Sequence, residues 1–206
     1  MRGRKTRKLA VLGHAAAFTM LVASSATADH LNKNWHYHVA KQAKQAGKAR
    51  RGEHTFTAYI TGYSFWDNTP PGSAAIARPV VHRSAGGKGT YNDPITIAVG
   101  HSIVRSRQTL DFPAGTRFYL KRLRKYAIVE DVCGDGPRPQ NGPCHTGRNG
   151  RPWMDIYVGG RGHSAGTADA CSRRITAVHT VIMNPGPGYP VVPGELTESG
   201  CGLFSG

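Results

Sequence analysis

Residues 151–160 read RPWMDIYVGG, a strand-length run that holds one carboxylate among apolar and aromatic residues. Successive side chains of a strand point to opposite faces, so Met154, Ile156 and Val158 go one way and Trp153, Asp155 and Tyr157 the other. The apolar set predicts the core face. The other set places Asp155 between two rings on a face that reads as open. Five more stretches share the β-branched and aromatic enrichment of strands: TFTAYITGY (55–63), PITIAVG (94–100), TRFYLKRL (116–123), KYAIVEDV (125–132) and ITAVHTVIM (175–183). Turn-rich pieces separate them, among them DNTPPGS (67–73), RSAGGKGTYNDP (83–94) and GDGPRPQNGPCHTGRNGRP (134–152). One helix is expected, over SAGTADACSRR (164–174). Short strands with long glycine-rich loops predict an all-β domain, a small barrel or sandwich. The tail NPGPGYPVVPGELTESGCGLFSG (184–206) carries four prolines, which cannot donate to a ladder, and reads as an extended strap across the barrel.

The chain has 206 residues and a formal charge of +15. Its start, MRGRKTRK, is a positive n-region followed by the short apolar run LAVLGHAAAFTMLVA and an A-x-A site ending at Ala28, so residues 1–28 read as a signal peptide. Removing them takes away five Lys/Arg and no acid, which lowers +15 to +10. The expectation is a secreted, monomeric protein without membrane attachment after cleavage. Residues 29–53, rich in Lys, Ala and Gln, read as a basic linker, and residues 54–206 as the barrel domain with its strap. The four cysteines, Cys133, Cys144, Cys171 and Cys201, fit two disulfides. Of the three pairings, Cys133–Cys144 and Cys171–Cys201 are favoured, the first closing a short loop and the second tying down the tail. No CxxC occurs, so no structural zinc is expected, and no nucleic-acid-reading motif accompanies the basic charge. Neither a metal nor a cofactor is predicted. The histidines His82, His101 and His145 lie beside loops that can line a groove, while His179 reads as a satisfied, partly buried residue.

A carboxylate flanked by rings is the composition of a carbohydrate groove, where rings stack on sugars and a desolvated acid protonates the glycosidic oxygen. The succession DPITIAVG, FPAGTRFYL, KYAIVEDVCGD and WMDIYVGG also resembles the double-psi β-barrel proteins: the three-Asp domain of lytic transglycosylases, the rare lipoprotein A domain, expansins and family-45 endoglucanases. The resemblance covers about residues 55–183 and rests on PAGT, VED and MDIY. A GSAAIA segment is similar to one in a group of secreted actinomycete and fungal barrels. The resemblance implies a six-stranded double-psi β-barrel with one or two short helices. It places Asp155 where these enzymes keep their catalytic acid and Asp131 where a supporting acid stands. YSFWDN (63–68) resembles the Tyr-Trp-Asp segment of the endoglucanases, which makes Asp67 the second carboxylate and Tyr63 and Trp66 sugar-binding candidates beside Trp153 and Tyr157. The Cys-rich surroundings of the endoglucanases and the GGAIKG loop of the transglycosylases are absent from the sequence.

Each candidate also has a structural reading. Asp155 can hold crossing loops together, Asp67 can be ordinary turn chemistry, and Asp131 can be a purely supporting acid whose neighbour Glu130 points the opposite way. The expected function is a secreted protein that cleaves or loosens a cell-wall polysaccharide by general-acid catalysis. A separation of about 6.5–9.5 Å between Asp155 and Asp67 would imply inverting hydrolysis. The competing expectation is a non-catalytic binding protein, either an expansin-like wall binder or an inhibitor of papain-like cysteine proteases. Secreted basic barrels from actinomycetes similar to this chain act as papain inhibitors. Such a protein would present the loops Gly86–Asp93 and Gly134–Gly150 to its target.

Overall fold

The computed structural model describes residues 52–205. The expected signal peptide over 1–28 and all but the last two residues of the expected linker lie outside them. Eight strands form: β1 (His54–Tyr63), β2 (Ile95–Val99), β3 (His101–Val104), β4 (Arg107–Leu110), β5 (Arg117–Leu120), β6 (Lys125–Val132), β7 (Trp153–Tyr157) and β8 (Ala177–Met183). Six of them close a barrel in the order β1-β7-β2-β6-β5-β8; five lie within stretches expected to be strands, and β1 begins one residue before the sixth. The hairpin β3–β4 stands outside the barrel and was not expected from the sequence. Pairs β1–β7 and β2–β6 run parallel and the other four contacts antiparallel, so the fold is an all-β closed barrel with crossover connections.

The interior is filled by alternate residues: Ala58 and Ile60 of β1, Ile95, Ile97 and Val99 of β2, and Met154, Ile156 and Val158 at β7 are all fully buried. The apolar face read from RPWMDIYVGG is thus the core face. Strands β2 and β6 do not alternate in exposure, because loops and the strap cover their outer side as well. Two short α-helices complete the fold, α1 (Pro143–Thr146) and α2 (Ala165–Ile175). The expected helix is α2. Ser164 caps its first turn by accepting from the Thr167 N–H, Arg173 and Arg174 sit in its last turn, and Ala168, Cys171 and Ile175 form its buried stripe. It can lie against β1 because residue 62 is glycine; a Cβ there would come within 2.7 Å of Val158 and 3.1 Å of Ile175.

Both favoured disulfides form, Cys133–Cys144 and Cys171–Cys201. The first ties α1 to the end of β6, and the second ties the strap to α2. The strap is also held chemically. Tyr119 and Tyr126 donate their hydroxyls to Pro190 O and Gly186 O, and the buried Lys125 ammonium donates to Val192 O and Gly194 O. Burial lowers the Lys125 pKa to about 8. Glu53 belongs to this folded body and not to a linker, since its carboxylate accepts from Gly186 N–H and from the Tyr189 hydroxyl.

One irregularity positions everything that follows. Ile97 pairs with Val129 and Ala98 with Asp131, so Glu130 is an extra residue on β6, a β-bulge. The fully buried Glu130 carboxylate turns outward beneath residues 78–82. Its Oε1 accepts from the backbone N–H groups of Val80, Val81 and His82 at 3.2, 2.6 and 2.8 Å, and Oε2 meets the His82 ring at 2.7 Å and the Thr96 hydroxyl at 3.1 Å. The other ring nitrogen of His82 faces Asp93 at 3.0 Å. Burial alone would raise the Glu130 pKa, but the His82 and Val81 donors outweigh it and hold it below the ordinary carboxylate value. Burial would lower His82, and its two carboxylate partners outweigh that and raise it. Glu130 therefore adds stability that is present above its unfolded pKa and lost as pH falls through its depressed folded value. The His82 contribution is full below the unfolded histidine pKa and is lost as pH rises through its raised one.

Glu130→Ala leaves three inward-facing N–H groups without an acceptor and is expected to cost on the order of 3 kcal/mol at pH 6. Thermal or denaturant unfolding measures the loss, and hydrogen exchange should show it as lost protection at Val80, Val81 and His82. Unchanged protection at those amides would show that the loop does not depend on Glu130.

Candidate functional site

The bulge leaves Asp131 facing the opposite side of the wall, into a cleft of about 360 Å³. Tyr63 at the end of β1, Asp67 and Thr69 in the following turn, the segment 75–77, Ala98, Asp131, the segment 132–135 and Asp155 line it. Three of the sequence-predicted acids, Asp67, Asp131 and Asp155, and the predicted Tyr63 therefore meet in one place. Asp135 adds a fourth carboxylate, and among the described residues no Lys, Arg or His lines the cleft.

The acids differ in how far their oxygens are committed. Asp131 is saturated: Oδ1 accepts from the N–H groups of Ala77 and Val132 at 3.0 and 2.9 Å, and Oδ2 from the Tyr63 hydroxyl at 2.9 Å. Burial raises its pKa against the opposing pull of those donors, and it serves chiefly to hold the 75–77 wall. Asp67 accepts the Ser64 N–H and hydroxyl through Oδ1 alone, each at 2.6 Å, which closes the turn after β1. Asp155 accepts a single bond, from the Thr61 hydroxyl to Oδ1 at 2.9 Å. Burial, with smaller contributions from the Asp67 and Asp131 charges, pushes its pKa up to about 7, against the Thr61 bond that opposes the shift. Its Oδ2 takes no hydrogen bond from the described residues, and Asp155 retains some solvent exposure where it meets the cleft.

The predicted aromatic residues divide. Tyr63 is in the cleft lining, although its ring is mostly buried and its hydroxyl is spent on Asp131. Tyr157 is 2% exposed, packed edge-on against Tyr63 at 5.3 Å between centroids, and lies in the core instead of on an open face. The alternation rule failed there because α2 and the strap cover the second side of β7 at its C-terminal end. Trp153 lies outside the cleft lining. Its ring meets Tyr59 edge-on and its Nε1 donates to Thr61 Oγ1 at 2.8 Å. Trp66 is 40% exposed, but its indole donates to Gly160 O and His163 O, and it too lies outside the lining. Stacking platforms at Trp153, Tyr157 and Trp66 are therefore not part of this cleft.

Thr61 was missed by the sequence reading. Its importance follows from the parallel register that sets Thr61 opposite Asp155, which nothing local in TGY reveals. Because an indole nitrogen only donates, Thr61 Oγ1 must accept from Trp153, and its own proton is directed to Asp155. None of the loop histidines lines the cleft: His101 is buried, His82 is held by Glu130 and Asp93, and His145 pairs with Asp111 at 2.6 Å. His179, expected as a satisfied, partly buried residue, is fully buried and only half satisfied: Nε2 is on Ile175 O, while Nδ1 has no hydrogen-bond partner among the described residues. Among the described residues no three His, Cys, Asp or Glu side chains gather as a metal site, and no helix is long and apolar enough to cross a membrane.

Comparison with known proteins extends over the same body. No solved structure matches the chain. A Dictyostelium discoideum protein, "Uncharacterized protein DDB_G0273701/DDB_G0273221", is 35% identical over 142 residues, covering 68% of this chain and 56% of its own length. The chain thus spans little more than half of that relative. The pattern of the DDB_G0273701 N-terminal domain matches residues 55–202, which run from β1 through the strap and include every acid of the cleft, and the chain belongs to that family.

Proposed function

We propose that this is a secreted double-psi β-barrel protein that takes a polysaccharide, such as a cell-wall glycan, into the 360 Å³ cleft and cleaves it with Asp155 as general acid. The observation that carries the reading is the contrast among the clustered acids. Asp131 is committed through both oxygens, whereas Asp155 has a free Oδ2 and is pushed up to about 7, so it holds a proton near neutral pH. Asp67, with Oδ2 uncommitted, is the candidate to orient water or stabilise the positive charge that develops on the sugar. Four carboxylates and, among the described residues, no cation in the lining favour sugar units that are uncharged or cationic. The two disulfides fit export, and of the motifs that resemble the double-psi superfamily VED falls on β6, MDIY on β7 and PAGT in the turn that enters β5.

A second reading, an inhibitor of papain-like cysteine proteases, has its own observation. Val80 and Val81 are 52% and 48% exposed while their backbone is fixed on Glu130, which is how a preorganised recognition loop is built. This loop lies outside the two segments expected to face a protease.

Asp155→Asn is expected to reduce release of soluble sugars from chitin, glucan or peptidoglycan by about 10²–10⁴-fold. In the parent, kcat/KM should fall above pH 7, because the acid must be protonated. Equal product release by parent and variant removes the enzymatic reading, and papain inhibition unaffected by Asp155→Asn but lost in Val80→Asp supports the second one.

Thr61→Val removes a bond that favours the charged carboxylate and should move the alkaline limb of that profile up by about one pH unit. A merely structural Thr61 would lower activity without moving the limb.

Stability provides a readout independent of substrate. The raised Asp155 pKa means its favourable contribution is complete below the unfolded value and lost as pH rises through about 7. Asp155→Asn should therefore gain on the order of 2 kcal/mol over the parent at pH 8 and nothing at pH 4, measured by denaturant unfolding.

A further inference from the structure

A second concavity lies at the other end of β1 and β7, about 20 Å along the strand from Tyr63 at the usual rise per residue. Two hollows of about 500 and 360 Å³ meet there and share Phe112, Arg151 and Pro152. One wall of the larger is a row of parallel rings: His54 stacks with Phe56, and Phe56 with Phe112, each at 6.0 Å between centroids. His54 and Phe56 are two apart on β1 and so share a face, and the loop after β4 brings Phe112 alongside. This leaves a flat apolar surface open to solvent at its His54 end.

Arg151 stands beside that wall with its charge unanswered. No carboxylate among the described residues forms an ion pair with it, its buried Nε has no hydrogen-bond partner, and Nη1 reaches only the Asn149 carbonyl at 3.4 Å. A buried donor left unpaired costs free energy, and an incoming acceptor recovers it. The acid of the smaller hollow, Asp111, is occupied by His145 at 2.6 Å, and it excludes a second negative charge from that end. The groove therefore has one cationic end, one flat apolar wall and one acidic limit.

We propose that this groove binds a small aryl carboxylate, its carboxylate on the Arg151 guanidinium and its ring against Phe56 and Phe112. A planar carboxylate matches the planar fork of arginine, and the combined hollows are within the range of small-molecule sites. The site is separate from the acidic cleft, which shares no lining residue with it, and does not depend on the glycan reading.

The test is a titration of the full chain with 2-naphthoate and with its uncharged amide, 2-naphthamide, followed by backbone amide NMR. The expected result is saturable shifts confined to residues 54–57, 111–112 and 150–151, with the carboxylate binding about tenfold more tightly than the amide. Arg151→Gln should bring the carboxylate down to the amide's affinity without altering the amide's own. His54→Ser, at an exposed position, should weaken both. Equal binding of acid and amide by the parent protein, shifts spread over other arginines, or no saturation by roughly 10 mM would each overturn the proposal.

Discussion

One extra residue in β6 organises the whole upper end of the barrel. In a regular strand Glu130 and Asp131 would project to opposite faces in step with β2. The bulge at Ile97/Ala98 breaks that step and gives each carboxylate a separate task. Glu130 gathers the N–H groups of residues 80–82 on the outside, and Asp131 takes the N–H of Ala77 and the Tyr63 hydroxyl on the cleft side. The connection between β1 and β2 is therefore fastened at two points to adjacent residues of a third strand. This double fastening makes a wall out of a segment with no regular structure of its own, and without it the cleft would have no side facing Asp155.

Saturating some carboxylates is what leaves another free to act. Glu130 and Asp131 each spend both oxygens on nearby donors, so neither has an oxygen left for a ligand. Asp155 has one donor and experiences the fields of Asp67 and Asp131. Burial and like charge both favour its protonated form, and the Thr61 hydroxyl limits the shift. Two carboxylates of one barrel wall thus shift in opposite directions, Glu130 down under its donors and Asp155 up under burial, with no change in covalent chemistry.

Much of this was legible in the sequence, for identifiable reasons. The barrel strands have the β-branched density that marks strands, a small-residue stripe over 164–174 marks α2, which in the structure runs one residue further to Ile175, and loop closure selects the disulfides correctly. Asp155 could be picked out as the lone acid of a strand-like run, and Asp131 and Asp67 through the resemblance of VED and YSFWDN to double-psi segments; the three do converge. Hairpin β3–β4 escaped because HSIVRSRQTL is polar and half exposed, with Arg105 and Ser106 taking positive φ in a turn that carries no glycine. Period-two logic misplaced Tyr157 because it assumes one solvated face, whereas a barrel strand crossed by a helix and a strap has none at that end. The bulge at Glu130 and the partnership of Thr61 with Asp155 depend on register between distant strands, and sequence windows do not encode register.

That same register gives Trp153 its role. Its ring was expected as a platform for sugar, yet it packs on Tyr59, to which Arg148 also supplies its guanidinium at 4.4 Å. What Trp153 delivers to the cleft is one N–H, which occupies the acceptor side of the Thr61 hydroxyl and so orients the hydroxyl proton toward Asp155. An indole cannot reverse that polarity, whereas a water or another hydroxyl in its place could do so and leave Asp155 with no donor at all. The pair of parallel strands thus fixes the single bond on which the proton affinity of Asp155 is balanced, and Trp153 acts at the cleft by positioning Thr61 without touching what binds there.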